Sequence, residues 1–399
     1  MTGWRCLLGR FTARILFCAS KLTMSASPSA GGASSFVLGV FLTLLGGLCN
    51  GTWTLVTKPN APAFLNAVRR TSRDNGEGGM DSDDSWAWEN AWCAIQTFAP
   101  LINAVVCASA AHDAIAYAWR GADGTVAAAV VVCSLLWGGG GVGFGKAVHH
   151  LGVATGTSLC MGIILVLGTA IAAVAQTKSI PVASAGLTAA SVLAGTLGLA
   201  AAARAGLRRD AADTSASKAE GGGGAVWVGL AWAAVGGIPS AMLQLAFVAS
   251  APVMENAESS GGADAATRAM PIWLIAFTGN AVGGVGFPLA EMRRNGTFRR
   301  QFVATASASR FARCFCAAAM FVAHIHLYGF GAALMGRQLG AIFAWPMLMT
   351  STVAWSQAWS HYLGEWTNAP PSAKAANAVS VALLVAAVGL AGGAAAVSN

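Results

Sequence analysis

A chain of 399 residues with 55% hydrophobic and only 10% charged residues, and a mean hydropathy of +0.60, belongs to the membrane class rather than the soluble one. Its formal net charge of +8 comes from basic residues in loops between apolar runs, where they orient a protein in a bilayer, so nucleic-acid binding is disfavoured. Backbone groups in lipid must pair within a helix or a closed barrel, and unbroken apolar runs exclude the barrel's period of two; the fold class is all-α, a polytopic membrane protein.

Residues 1–34 carry Arg5, Arg10, Arg14 and Lys21 without an acid and then turn Ser- and Ala-rich. That pattern fits a targeting segment, while Met24, opening MSASPSAGGASS, offers a later natural start. Ten apolar stretches follow, each about twenty residues or longer and able to cross a ~30 Å hydrocarbon layer. They predict helices near 35–57, 88–111, 124–147, 151–176, 180–203, 224–250, 269–291, 304–335, 339–363 and 373–397. The polar loop 58–85 reads as solvated and disordered, and 204–223 forms a basic, Gly-rich centre between residues 35–203 and 224–399.

Ten spans put both termini on one side. The loops after the odd spans hold 16 of the 24 Lys and Arg, so the termini are expected on the non-cytosolic side of a plasma or organellar membrane. Asn295-Gly296-Thr297 lies in the basic loop and should never carry glycan, whereas Asn50-Gly51-Thr52 falls inside the first span.

Spans three and eight share a signature: GFGKAVHHLG from Gly143 and GFGAALMGRQLG from Gly329. Equivalent helices five spans apart run in opposite directions, so the expectation is two inverted five-helix repeats meeting at a midplane site. Glycine pairs at four-residue spacing (Gly47/Gly51, Gly141/Gly145, Gly152/Gly156, Gly279/Gly283) predict faces where backbones approach closely. The Gly138–Gly141 run is no phosphate loop, because no strand precedes it and no GKS or GKT follows. The nine cysteines lie mostly in spans without CxxC spacing, so neither a disulfide framework nor a metal site is expected.

WGGGGVGFGKAVHHLG from Trp137 with GTSLCMGIILVLGTAI after it, WAWENAW from Trp86, GGIPSA from Gly236, Ala251-Pro252 and LGEWTNA from Leu363 follow one another along the chain. In order and spacing they resemble the L-rhamnose/proton symporters of the drug/metabolite transporter superfamily, over essentially everything after residue 35. The resemblance implies ten helices in two inverted halves, non-cytoplasmic termini, and inward movement of a sugar driven by a proton gradient without any cofactor. The chain departs from the family pattern at Gly141 and Gly143, where asparagines are expected, and in HIHLYGFG of span eight, so the sugar need not be rhamnose itself.

Sugar binding needs aromatic faces for the ring and amides or hydroxyls for its OH groups, and proton coupling needs a titratable group reached from both sides. The substrate candidates are Asn50, Gln244, Asn280 and Gln357 as amides, and Trp137, Tyr328, Trp345 and Trp355 as stacking faces. Trp86, Trp88 and Trp366 fit an interfacial belt. Glu89 either carries the proton or caps a helix start. His324 and His326, two residues apart on different helix faces, are the other proton candidates, against the alternative of neutral core imidazoles. Lys146 and His149 either meet substrate or snorkel to the interface.

These residues point first to a proton-coupled carrier of a small sugar, with lipid bilayer and sugar as its partners and a homodimer left open. An organellar exchanger of sugar phosphates or nucleotide sugars would need several cations in the cavity, and only Lys146 is in reach. A membrane-embedded enzyme would need a convergent catalytic set, and no HExxH, Ser/His or paired-Asp arrangement occurs in the spans.

Overall fold

The structure is a computed structural model that describes residues 33–57, 88–120, 122–175, 182–216, 222–264, 267–299, 302, 308–335 and 340–398. Among these the regular structure is helical: α1 (Ala33–Trp53, continued by a 3-10 turn Thr54–Thr57), α2 (Trp88–Ala118), α3 (Gly124–Ala175), α4 (Val182–Ala216), α5 (Gly222–Ala249), α6 (Ala251–Gly261), α7 (Met270–Arg294), α8 (Ala308–Met335), α9 (Gly340–Tyr362) and α10 (Pro371–Ser398). Residues 1–32 of the segment with the targeting expectation and the whole of the polar loop 58–85 lie outside the described residues.

A straight helix of 52 residues would run about 78 Å, far more than a bilayer holds. α3 instead turns back on itself: a Cβ on Gly156 would come within 2.7 Å of the Val148 Cα, a contact only a reversed chain can make eight residues on. Its two arms, Gly124–Leu151 and Thr155–Val174, are separate spans, as the sequence predicts. In all, nine helical segments among the described residues are long and apolar enough to cross a membrane. α9 is also 23 residues long and largely buried, but Thr350, Ser351, Thr352, Ser356, Gln357 and Ser360 keep its hydropathy below theirs.

Two ends of the bundle are defined by polar contacts between connections. At one end Arg209, in the last turns of α4, pairs with Glu365 after α9 (3.1 Å), Lys146 pairs with Glu291 near the end of α7 (3.1 Å), and Trp359 Nε1 donates to Thr52 Oγ1 (2.8 Å). At the other, Asn256 of α6 donates to the carbonyls of Ala118 and Arg120 after α2 (3.4 and 3.3 Å). Contacts after spans one, three, five, seven and nine thus gather at one end, and contacts after spans two and six at the other.

Glycines let the central helices touch backbone to backbone. α1 lies against α8 at Gly39 and Gly46, and against α9 at Gly47 and Gly51; α5 lies against the first arm of α3 at Gly236 and against the second at Gly237. A Cβ on Gly143 would sit 2.5 Å from the Gly236 nitrogen, so neither position admits a side chain without moving a helix. Gly279 and Gly283 of α7 meet Ser134 and Leu135 of α3 in the same way. α2 packs on α7 and α8, the second arm of α3 on α9, and α4 on α10.

Candidate functional site

Pro239 in α5 and Pro346 in α9 each remove one helical hydrogen bond, and each adjoins a residue that faces the bundle centre, Ser240 and Trp345. The space there is about 50 Å³, room for three or four waters at about 15 Å³ each. Six of its fifteen lining residues are Trp or Phe: Trp53 from α1, Trp92 from α2, Trp137 and Phe144 from α3, Phe321 from α8 and Trp345 from α9. Its polar members are Asn50, Ser240 and His324.

Phe321 is the hub of this wall, with its ring centroid 5.2 Å from Trp53, 5.9 Å from Trp92, 5.5 Å from Trp137 and 5.2 Å from His324. The indole N–H groups fix the orientation of three rings. Trp53 Nε1 donates to Asn50 Oδ1 (3.0 Å), Trp92 Nε1 to the Gly284 carbonyl (3.1 Å) and Trp345 Nε1 to the Ile164 carbonyl (3.2 Å). Gly141 and Gly168 make room for Trp92 and Trp345, since a Cβ at either would overlap the indole. Asn50 is held from the other side by Thr352 of α9, to whose Oγ1 it donates (3.2 Å). The wall is apolar, with ring planes set from 30° (Trp137–Phe321) to 71° (Trp92–Phe321) to one another, and carries few hydrogen-bonding groups.

The structure places Asn50, Trp137, Trp345 and His324 around this one cavity. Tyr328 and Gln244 stand behind Trp345: the phenol donates to Gln244 Oε1 (2.9 Å) and lies edge-on to Trp345 at 5.5 Å. Gln357 is away from the cavity and donates to Ser158 Oγ (3.3 Å). His326 faces the opposite way from His324 and binds Asn103 Oδ1 through Nε2 (2.8 Å), while Asn103 donates to the Trp273 carbonyl (3.0 Å). Asn280 is fully buried on α7, with its carbonyl against Gly138 of the first arm of α3.

Trp355 corrects the stacking expectation. It is 41% exposed on the outside of α9, because ten residues at about 100° each leave it roughly 80° off the face of Trp345. Glu89 lies on the first turn of α2, and its side chain is outside the described residues. Lys146, read as snorkelling or substrate-facing, is paired with Glu291.

Trp53, Trp92, Phe144, Phe321 and Ser240 were not singled out from sequence. Two signals pointed to them: Trp53 follows Asn50 by three residues, one helical turn, and Ser240 follows the proline of GGIPSA. Phe144 and Phe321 stand in apolar runs where a lining ring and a packing ring look alike.

Residues 78–396 match the family model described as L-rhamnose-proton symport protein (RhaT). The match begins beyond α1, later than the resemblance from residue 35, although α1 supplies Asn50 and Trp53 to the wall. The L-rhamnose-proton symporter of Mannheimia succiniciproducens is 26% identical over 235 residues, 57% of this chain and 66% of that protein. Those of Cronobacter sakazakii (27% identical) and Klebsiella pneumoniae (26% identical) align over 212 residues, 51% of this chain and 58% of each relative. The chain thus spans 58% to 66% of the length of these curated relatives.

Proposed function

The chain belongs to the L-rhamnose-proton symport protein family, and on that premise we propose that it is a secondary active transporter that takes up a small sugar, L-rhamnose or a related carbohydrate, with a proton. It is an integral multi-pass membrane protein. The observation that carries the reading is the aromatic cavity at the bundle centre, with Asn50, Ser240 and His324 as its polar members. Flat indole faces suit the apolar face of a sugar ring, and the small volume means that side chains must part to admit one.

In the same reading the chain crosses the membrane ten times, α9 being the tenth span, in two inverted five-helix halves. The packing supports it. Exchanging each span with the one five positions away turns the α1–α8 contact into the contact of α5 with the first arm of α3, and α1–α9 into that of α5 with the second arm. The α2–α8 contact becomes that of α7 with the first arm, while α2–α7, α4–α10 and second arm–α9 map onto themselves. The cavity wall follows the same exchange apart from Trp92 of α2, whose partner α7 gives no lining residue: the other lining residues fall on α1 and α5, on the first arm and α8, and on the second arm and α9. Such halves expose one site alternately to either side. The charge count supports termini on the non-cytosolic side. His324 is the titratable group in contact with the cavity and so the first coupling candidate; Glu89 and His326 are the others.

A sugar-phosphate exchanger is less well supported, since among the described residues the wall holds no Lys or Arg and Lys146 is engaged by Glu291. The deciding experiment is uptake of labelled L-rhamnose into proteoliposomes. Accumulation that needs an inwardly directed proton gradient supports symport. Exchange indifferent to the gradient, or no uptake of any sugar offered, overturns it.

A further inference from the structure

α2 and α7 run antiparallel, and their register can be read from three bonds. Trp92 reaches the Gly284 carbonyl, Asn103 the Trp273 carbonyl, and Cys107 Sγ the Met270 carbonyl at 3.5 Å. This register sets Gln96 across from Asn280. Gln96 Cδ would lie 3.5 Å from a Cβ on Gly284, one turn along α7 from Asn280.

Both amides are almost wholly buried, Gln96 at 1% and Asn280 at 0% exposure. All four of their polar atoms are buried without a hydrogen-bond partner. Two facing amides at a helix contact normally bond one another, and leaving four such atoms unpaired in the interior carries a desolvation cost for each. Gln96 lies one turn from Trp92 on α2, and the Trp92 indole forms part of the cavity wall; a Cβ on Gly284, one turn from Asn280, would meet both Trp92 Nε1 (3.0 Å) and Gln96 Cδ (3.5 Å). The Trp92 indole stands over Gly141 of α3 and donates to the Gly284 carbonyl of α7, both on neighbouring helices.

We propose that Gln96 and Asn280 form a hydroxyl-binding subsite of the sugar site, screened from the cavity by the Trp92 indole and reached when that ring moves aside. The subsite rests on the transport reading above and deepens it. The cavity wall offers mainly ring faces; the amide pair supplies the donors and acceptors that a polyhydroxylated ring needs, two oxygens and two NH2 groups. Gln96 belongs to the first five-helix half and Asn280 to the second. A hydroxyl bonded to both therefore ties the halves together at one separation, so that substrate bears on the movement of one half against the other.

The test uses full-length protein in proteoliposomes with L-rhamnose and analogues that each lack one ring hydroxyl. Gln96→Leu and Asn280→Leu keep roughly the side-chain bulk and remove the polar atoms. The expected result is a KM for L-rhamnose raised about tenfold, the loss of about one hydrogen bond, with thermal stability equal to or above that of the parent. One deoxy analogue should be transported by parent and variants with the same KM, because the hydroxyl they read is missing from it. Variants that are stable and keep the parent KM and the parent ranking of analogues overturn the subsite and leave the amides as hydrated packing groups. Should Leu prevent folding, Gln96→Met and Asn280→Ala carry the same comparison. A parent protein that takes up no L-rhamnose overturns the transport reading and the subsite together, whereas parent uptake with indifferent variants overturns the subsite alone.

Discussion

α8 and α9 occupy the centre of the molecule and α4 and α10 its edge, and the two pairs are built on opposite terms. Of the α8 span 83% is buried, against 28% for the spans of α4 and of α10. The central pair carries His324, Trp345 and Thr352 and touches the cavity, while neither outer helix lines it. α4 and α10 hold one another through two side-chain bonds to backbone, Ser191 to the Ala387 carbonyl and Ser380 to the Gly198 carbonyl, both 2.7 Å. Leu193, Leu197, Val379 and Val385 face outward. In lipid an exposed leucine carries no penalty, so apolar surface marks the edge of the fold, and polar or aromatic density marks its working centre.

The contrast is most sharply broken by putting a side chain where backbones cross. Gly143→Leu should leave little folded protein, because Gly236 across the contact is backbone and cannot yield; overpacking of this kind costs about 1–3 kcal/mol or more. Gly389→Leu on α10, where a Cβ meets nothing within 4 Å, should melt with the parent. Thermal stability by size-exclusion chromatography in detergent measures both, and equal losses would mean that the edge is packed as tightly as the centre.

Arg209 and Glu365 tie the two regions together. The guanidinium is also stacked 5.3 Å over Trp366, and the carboxylate contacts it at 3.1 Å. With side chains only 7% and 19% exposed, removing one partner strands the other, a loss of about 3 kcal/mol. Arg209→Ala should therefore lower the melting temperature, and Arg209→Ala combined with Glu365→Ala should recover part of the loss. A single variant that melts like the parent would show the edge pair to be held by α4–α10 packing alone.

His324→Gln keeps size and hydrogen bonding but cannot accept a proton. Rhamnose counterflow should survive in proteoliposomes while gradient-driven accumulation falls about tenfold or more, within the span that general acid–base groups contribute elsewhere. Parent-like accumulation would move the coupling role to His326 or Glu89.

Much of this architecture was legible in the apolar runs, because a helix in lipid must be long and continuous. The turn inside α3 fell where Leu151 begins a new run, and the glycine pairs at 47/51 and 279/283 did mark close approaches. α9 shows the limit of hydropathy: its Thr and Ser hydroxyls lower its apolar character, yet these groups bond within the helix, as Thr350 does to the Pro346 carbonyl and Ser356 to the Thr352 carbonyl. The site was legible only in part. Periodicity along one helix separates the faces of His324 and His326 but does not tell which face meets the cavity. Trp92 and Phe321 acquire their role from rings on other helices, a relation that no single segment contains.

Trp355 gives the smallest expected effect and the cleanest check on that limit. As an indole on a helix that contributes Trp345 and Met349 to the wall, it has the composition of a binding residue. Its position says otherwise: 41% exposed, with its Cβ 3.1 Å from where a Cβ on Gly51 would lie, it covers the α1–α9 contact from outside. Trp355→Leu keeps an apolar surface toward lipid and should leave the KM for L-rhamnose within about twofold of the parent, the ordinary scatter of a surface change below 0.5 kcal/mol. A KM raised tenfold would place the substrate path along the outside of α9 and would dissolve the distinction between a working centre and a lipid-facing edge.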